Sequence, residues 1–185
     1  MTPRHAIVKS FAEWTAFSAL RSGLPKTIDR QRSAIYPLIR IPSYNEILSR
    51  QDITSHEFDA WHEANTVAIC HQAENLPVGW ATKIINVYLK TRVYLANEGP
   101  PSLIAYIHPP IDNGLWQGIR AQYQSDPTIY QKTHIVTRIK NIADYSTYQT
   151  IIEGCKLIAA KRECLLIEVE ELWMGTLADP ADTDT

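Results

Sequence analysis

Apolar residues at helical spacing, each series preceded by capping or turn residues, constrain this fold more than any other feature of the sequence. The clearest series follows Thr54 and Glu57, whose spacing forms a capping box, and it continues through Phe58, Trp61 and Ile69 on one face of a predicted helix. Shorter series of the same kind predict further helices over residues 10–22, 81–95, 112–123 and 146–161. The chain is therefore predicted to be mainly α-helical.

Two short segments have β-like character, residues 102–107 and 164–169, and residues 135–142 fit a helix better than a strand. A chain of 185 residues that is 45% apolar can bury one good hydrophobic core. The sequence thus predicts a mainly α, compact single-domain helical bundle over residues 1–177, with at most one or two short strands. The acidic segment 178–185 is predicted to be a disordered tail.

The charge is unevenly distributed along the chain. The formal net charge is -2, but residues 168–185 hold six acids and neither Lys nor Arg. The rest of the chain has 18 basic and 14 acidic residues, a net charge of +4. This mild excess is compatible with DNA binding and does not by itself require it.

The remaining compositional signals concern the compartment. Cys70, Cys155 and Cys164 are an odd number of cysteines without CxxC spacing, which is typical of reduced thiols in a cytosolic protein. No apolar run resembles a signal peptide or is long enough to cross a bilayer. We therefore expect a cytoplasmic protein with no membrane partner.

Residues 76–116 contain the strongest indication of chemistry, because two turns each lead into a predicted helix there. Leu76-Pro77-Val78-Gly79 precedes the helix that carries Lys83 on its first turn. The next helix is preceded by His108-Pro109-Pro110-Ile111-Asp112, which places Asp112 at the start of that helix. The two junctions present one amine and one carboxylate, which is a plausible small active site.

This stretch resembles the helix-hairpin-helix DNA glycosylase superfamily, in particular the 8-oxoguanine DNA glycosylases. In that family an apolar helix ends at a Leu-Pro-Gly-x-Gly-type hairpin, a lysine follows on the next helix, and a Pro-x-Asp step begins a further helix. The resemblance covers about forty residues of this chain. Of the two hairpin glycines it keeps Gly79 alone, four residues before Lys83.

The resemblance implies a base-excision glycosylase, with or without abasic-site lyase activity, whose partner is DNA and which needs no cofactor and no metal. Lys83 is then the amine nucleophile and Asp112 the carboxylate that stabilises positive charge on the sugar. Gly79, Trp80, His108 and Trp116 are the candidate substrate-binding residues around a base flipped out of the duplex. Burial near a helix N-terminus would disfavour the ammonium form of Lys83 and favour the carboxylate of Asp112.

Plainer interpretations of the same residues remain open. Lys83 also fits a solvated lysine on the first turn of an amphipathic helix, and Asp112 also fits an N-cap with no further role. Trp80 and Trp116 also fit the hydrophobic core. Asn86 fits either a buried polar anchor or an exposed position.

Other residues of the chain indicate different functions. Arg50 and His56 have the spacing of the HEPN family of helical ribonucleases, although the Thr54 capping box places a helix start between them. His56, Asp59 and Glu63 share a helix face, but no second set of ligands completes a metal site. A non-enzymatic helical domain of a cytosolic system, which binds another protein, is the main alternative to an enzyme.

Overall fold

The computed structural model describes residues 2–20 and 24–175. The α-helices are α1 (Pro3–Ala19), α2 (Arg32–Ile39), α3 (Tyr44–Leu48), α4 (Ser55–Gln72), α5 (Val78–Leu89), α6 (Asn113–Tyr123), α7 (Pro127–Thr133) and α8 (Tyr145–Arg162). A π-helix (Lys90–Leu95) continues α5, and short 3₁₀ helices span Pro101–Ala105, Ile139–Asn141 and Leu166–Leu172. The described residues contain no strand, so the mainly α, compact fold is confirmed. The predicted tail 178–185 lies outside the described residues.

The buried apolar side chains form two clusters. One is built from helices α1 to α5 and the 3₁₀ helix after the π-helix, and the other from α6, α7, α8 and the last 3₁₀ helix. Ile139 packs against both clusters. Helix α5 is central, because every residue from Gly79 to Leu89 is buried. The two candidate catalytic residues lie where the clusters meet, because Lys83 is on α5 and Asp112 is the N-cap of α6.

Helices α4 and α5 are consecutive and are joined by a short turn. The capping box of Thr54 and Glu57 begins α4, as the sequence predicts. The chain then turns through residues 73–77, where Asn75 has a φ of 67° and Pro77 is the N-cap of α5. A β-carbon on Gly79 would lie 2.3 Å from the carbonyl oxygen of Ile139, so only glycine allows α5 to approach the 3₁₀ helix Ile139–Asn141 this closely.

The C-terminal segment is held on α6 by close packing. A β-carbon on Gly118 would lie 1.6 Å from the carbonyl oxygen of Leu172, and the N–H of Met174 donates to the carbonyl oxygen of Gly114 at 3.1 Å. These contacts bring Trp173 across the N-terminal turn of α6. Residues 164–169, predicted to be β-like, instead enter the 3₁₀ helix Leu166–Leu172.

Three further expectations were wrong in detail. Helix α1 begins at Pro3 with Thr2 as its N-cap, and Phe11 and Trp14 point outward with exposures of 50% and 45%. Lys83 is buried and is therefore not a solvated lysine. Residues 102–107 are no strand, because the 3₁₀ helix Pro101–Ala105 covers most of them.

None of the helices in the part of the chain that the structure describes combines the length and apolar character needed to cross a bilayer.

Candidate functional site

The two residues predicted to be catalytic lie in contact. Nζ of Lys83 is 3.1 Å from Oδ2 of Asp112. Lys83 belongs to α5 in the N-terminal cluster, and Asp112 is the N-cap of α6 in the C-terminal cluster. Lys83 has only 9% of its surface exposed, so the pair is largely shielded from water and its attraction is weakly screened.

Asp112 is held in place through both of its carboxylate oxygens. Oδ1 accepts hydrogen bonds from the backbone N–H of Leu115 at 3.1 Å and from Nε1–H of Trp173 at 2.9 Å, while Oδ2 faces Lys83. The first of these bonds caps α6, as the plain interpretation of Asp112 expects. The bond from Trp173 goes beyond capping, because it ties the C-terminal segment to this carboxylate.

Lys83 lies against an aromatic ring as well as a carboxylate. Its Nζ is 5.6 Å from the ring centroid of Trp80, within the range of a cation–π contact. Trp80 is buried, and its Nε1 has no hydrogen-bond partner among the described residues. Trp80 therefore acts on Lys83 from the protein interior and presents no open ring face to a base.

A second lysine–carboxylate pair lies beside the first. Nζ of Lys90 on the π-helix is 2.7 Å from Oε1 of Glu170 in the last 3₁₀ helix. Burial raises the pKa of Glu170, and the charge of Asp112 acts in the same direction, whereas Lys90 and Lys83 oppose the rise. These four side chains therefore form one electrostatic group, with two amines and two carboxylates.

An open cavity of about 520 Å³ adjoins this group. Its polar and aromatic lining is Lys90, Tyr94, Trp173 and the three glutamates Glu168, Glu170 and Glu171, so both members of the second ion pair face it. Trp173 is 40% exposed and is the wall that the cavity shares with Asp112.

A buried polar network around Asn86 of α5 joins the two core clusters. Nδ2 of Asn86 lies 2.9 Å from the hydroxyl of Tyr148, and that hydroxyl lies 2.9 Å from Nδ1 of His108. Nε2 of His62 lies 2.9 Å from Oδ1 of Asn86, and Nδ1 of His62 lies 2.9 Å from the hydroxyl of Tyr145. One consistent donor pattern satisfies all four bonds, with both histidines neutral.

Burial keeps these histidines uncharged. It lowers the pKa of His62 to about 3, and the neighbouring His108 acts in the same direction. Burial also lowers the pKa of His108, against the opposing effect of Asp59, whose Oδ1 lies 3.4 Å from Nε2 of His108. Burial raises the pKa of Tyr148 well above its usual value. Near neutral pH both histidines are therefore unprotonated and Tyr148 keeps its proton, so the network acts as a set of structural hydrogen bonds.

The structure places the four predicted substrate-binding residues in the interior. Gly79 donates its N–H to the carbonyl oxygen of Ile142 at 3.1 Å. His108 belongs to the polar network, and Trp116 donates Nε1–H to the carbonyl oxygen of Thr133 at 2.8 Å. Together with Trp80, these residues support the site from inside.

The residues on the open side of the site were missed in the sequence. Lys90 comes from a π-helix, and Glu170 and Trp173 come from the segment that follows the β-like run 164–169. One signal was available, because Gly114 and Gly118 are spaced by one helical turn and such a pair indicates close approach of another backbone.

The other candidate residues separate into different environments. Arg50 and His56 line one cleft of about 560 Å³, but Arg50 is bound at 3.2 Å by both Glu46 and Glu57. His56 is exposed, whereas His62 is buried in the polar network. Within residues 2–20 and 24–175, no three His, Cys, Asp or Glu side chains lie close enough together to hold a metal ion.

Comparison of the chain with family models, with curated proteins and with solved structures found no match.

Proposed function

We propose that this protein is a DNA base-excision glycosylase with abasic-site lyase activity, in which Lys83 is the nucleophile and Asp112 stabilises the transition state. The observation that carries the proposal is the 3.1 Å contact between Nζ of Lys83 and Oδ2 of Asp112. The sequence resemblance expects these two residues to share a site, although 29 positions separate them.

The chemistry assigns a separate task to each group. As the bond between the sugar and the base breaks, its electron pair leaves with the base and positive charge develops on the sugar. The carboxylate of Asp112, fixed by Leu115 and Trp173, stabilises that charge. The ammonium group of Lys83 gives one proton to the departing base, and the resulting amine attacks the sugar carbon C1′. As the new C1′–N bond forms, the nitrogen becomes positively charged. The bond between C1′ and the ring oxygen then breaks, and that oxygen takes a proton from the nitrogen, which leaves the opened sugar as a Schiff base on Lys83.

The neighbouring cavity supports the same function. A flipped base needs a pocket with an aromatic surface and polar groups at its edge. The cavity of about 520 Å³ lined by Lys90, Glu170 and Trp173 offers both, next to Asp112. We assign it as the space for the base, which makes the last 3₁₀ helix part of the substrate site.

The experiment that tests the proposal is borohydride trapping. Purified protein is mixed with labelled duplexes that contain 8-oxoguanine, uracil or an abasic site, and any Schiff base is reduced to a stable amine. We expect an adduct that is lost in Lys83→Gln. Base release is expected to be lost in Asp112→Asn, which keeps an N-cap because asparagine caps as well as aspartate.

Matched controls separate chemistry from folding. Lys161→Gln removes an exposed lysine from α8 and should leave trapping unchanged. Circular dichroism and thermal unfolding of each variant establish that it is folded. Absence of an adduct and of base release with every duplex would contradict the proposal, and so would an adduct that survives in Lys83→Gln.

One observation favours the alternative of a protein-binding domain. Ile7, Phe11 and Trp14 lie on the face of α1 opposite its buried residues, and all three are exposed. The rings of Phe11 and Trp14 stack with centroids 5.6 Å apart. Clusters of exposed aromatic residues are typical of interfaces with other proteins.

This alternative has its own test. The wild-type protein and the double variant Phe11→Ser/Trp14→Ser are compared as baits, with size-exclusion chromatography of any complex. A stoichiometric protein partner that the wild type retains and the variant loses supports a protein-binding domain. Equal recovery with both baits contradicts it.

A further inference from the structure

The basic residues of the described chain fall into two groups, according to whether a carboxylate lies within ion-pair distance. The paired residues are Arg40, Arg50, Lys83, Lys90, Arg92, Lys156, Lys161 and Arg162. Those without an Asp or Glu partner among the described residues are Arg4, Lys9, Lys26, Arg30, Arg32, Arg120, Lys132, Arg138 and Lys140. Unpaired surface bases are the ones available to phosphate groups, because they need not first break an internal ion pair.

Two of these residues lie beside the helix that carries Lys83. Arg138 and Lys140 flank Ile139, whose carbonyl oxygen lies against Gly79 with no room for a β-carbon. Gly79 in turn donates its N–H to the carbonyl oxygen of Ile142 at 3.1 Å. The segment 138–142 is thus fixed against the first turn of α5, one helical turn before Lys83.

The local charges favour an anion at this position. Both Arg138 and Lys140 are exposed. The nearest acid in the sequence, Asp144, accepts hydrogen bonds from the N–H of Thr147 and from Oγ of Ser146, so it is engaged in capping α8. The N-terminus of α5 adds partial positive charge. The N–H of Gly79 in this first turn is already bound to the carbonyl oxygen of Ile142 and is not free for an anion. The positive charge that an anion would meet therefore comes mainly from the side chains of Arg138 and Lys140.

We infer that Arg138 and Lys140 bind the phosphate backbone of duplex DNA and so place the target nucleotide at the Lys83–Asp112 pair. This inference rests on the proposed glycosylase function, because it takes DNA as the partner. The two residues contact backbone and not bases, so they bind every sequence alike and leave selection of the base to the cavity beside Trp173. The other unpaired bases lie on α1, α2, α6, α7 and the segment between α1 and α2, and two of them, Arg4 and Lys26, serve as the control.

The test is equilibrium binding of a short duplex that contains a tetrahydrofuran abasic analogue, followed by fluorescence anisotropy over a range of salt concentrations. For Arg138→Gln/Lys140→Gln we expect the Kd to rise by about ten- to a hundredfold, and the slope of log K against log salt to fall by about two. The matched control is Arg4→Gln/Lys26→Gln, which also removes one exposed arginine and one exposed lysine. Its Kd should stay within about twofold of the wild type.

A conservative variant separates charge from folding. Arg138→Lys/Lys140→Arg keeps both charges and should bind as the wild type does. The inference is overturned if Arg138→Gln/Lys140→Gln binds as tightly as the wild type, if the control variant weakens binding equally, or if the wild type does not bind the duplex at low salt.

Failure of this inference is distinguishable from failure of the proposed function. Lys83-dependent trapping with unchanged binding in Arg138→Gln/Lys140→Gln leaves the glycosylase function standing and moves the DNA to another face. Binding that depends on Arg138 and Lys140, without trapping or base release, supports the DNA surface and contradicts the proposed chemistry.

Discussion

Nζ of Lys83 and Oδ2 of Asp112, 3.1 Å apart, connect a helix of the N-terminal core cluster to a helix of the C-terminal cluster. The contact therefore has two roles that experiments can separate. It orients the proposed nucleophile and carboxylate, and it contributes to the packing of α5 against α6. A substitution that affects only the first role is needed before activity is interpreted.

The coupling between Lys83 and Asp112 is measurable in a double-mutant cycle. Lys83→Gln, Asp112→Asn and the double variant are compared by urea unfolding. We expect an interaction free energy of about 1–2 kcal/mol, because the bond is charge-assisted and mostly buried but is partly reached by water. Additive effects of the two substitutions would mean that the contact contributes nothing to stability.

Trp173 is expected to matter through its N–H group. Trp173→Phe keeps most of the ring but removes the donor to Oδ1 of Asp112. We expect a loss of about 1 kcal/mol in the free energy of unfolding and a base-release rate about tenfold lower, because Asp112 is less firmly oriented. Trapping on a preformed abasic site should change little, since the base has already left.

The matched control for Trp173→Phe is Trp14→Phe, which changes an exposed tryptophan of α1. Its base-release rate should equal that of the wild type. An equal loss in trapping and in base release for Trp173→Phe would indicate that the C-terminal segment has moved as a whole, and would argue against a specific effect on Asp112.

Close packing at Gly118 should make it intolerant of a side chain. A β-carbon there would lie 1.6 Å from the carbonyl oxygen of Leu172, a backbone atom that cannot rotate away. Glycine-to-alanine substitution in an unobstructed helix stabilises by about 1 kcal/mol, so the clash must outweigh that gain. We expect Gly118→Ala to lower the free energy of unfolding by about 2–3 kcal/mol.

The control is Ala121→Gly at an exposed position of the same helix. It should destabilise by about 1 kcal/mol and so give the propensity difference in this helix directly. Chemical denaturation of both variants and of the wild type measures these differences in the free energy of unfolding. A Gly118→Ala protein as stable as the wild type would show that the C-terminal segment does not need its close contact with α6.

The helices with strong local signals are the ones that the sequence predicts well. The capping box of Thr54 and the cap of Asp112 depend on neighbouring residues only, and both are present in the structure. Helix α1 is different, because Ile7, Phe11 and Trp14 point outward. Ala12 and Ala16 are buried instead, where small side chains allow close packing, and Glu13 is buried because Arg40 pairs with it at 2.7 Å.

The sequence predicts only those residues of the site that follow local turn signals. Lys83 and Asp112 each follow a turn that can be seen in the sequence, whereas Glu170 and Trp173 reach the site through long-range packing. Leu166, Val169 and Leu172 are buried at a spacing of three residues, which fits a 3₁₀ helix and is easily mistaken for a short strand. No local pattern gives the position of such a segment on α6.

The neutral buried histidines predict how stability depends on pH. The folded-state pKa of His62 is about 3, far below that of a histidine in the unfolded chain, which is near 6.5. Below about pH 6.5 the unfolded state binds the proton and the folded state does not, so the free energy of unfolding falls as pH falls. The stabilisation is fully present above that pH, and its loss continues down to the folded-state pKa.

Urea unfolding between about pH 7.5 and 4.5 measures this dependence. We expect a slope of up to about 1.4 kcal/mol per pH unit from His62, with a further contribution of the same sign from His108, whose pKa is also lowered. His62→Gln should be less stable at neutral pH because it disturbs the bonds to Asn86 and Tyr145, but its slope should be shallower. His56→Gln, which removes an exposed histidine, should keep the wild-type slope. Equal slopes for His62→Gln and the wild type would show that His62 accepts a proton as readily in the folded as in the unfolded state, contrary to its burial between the two core clusters.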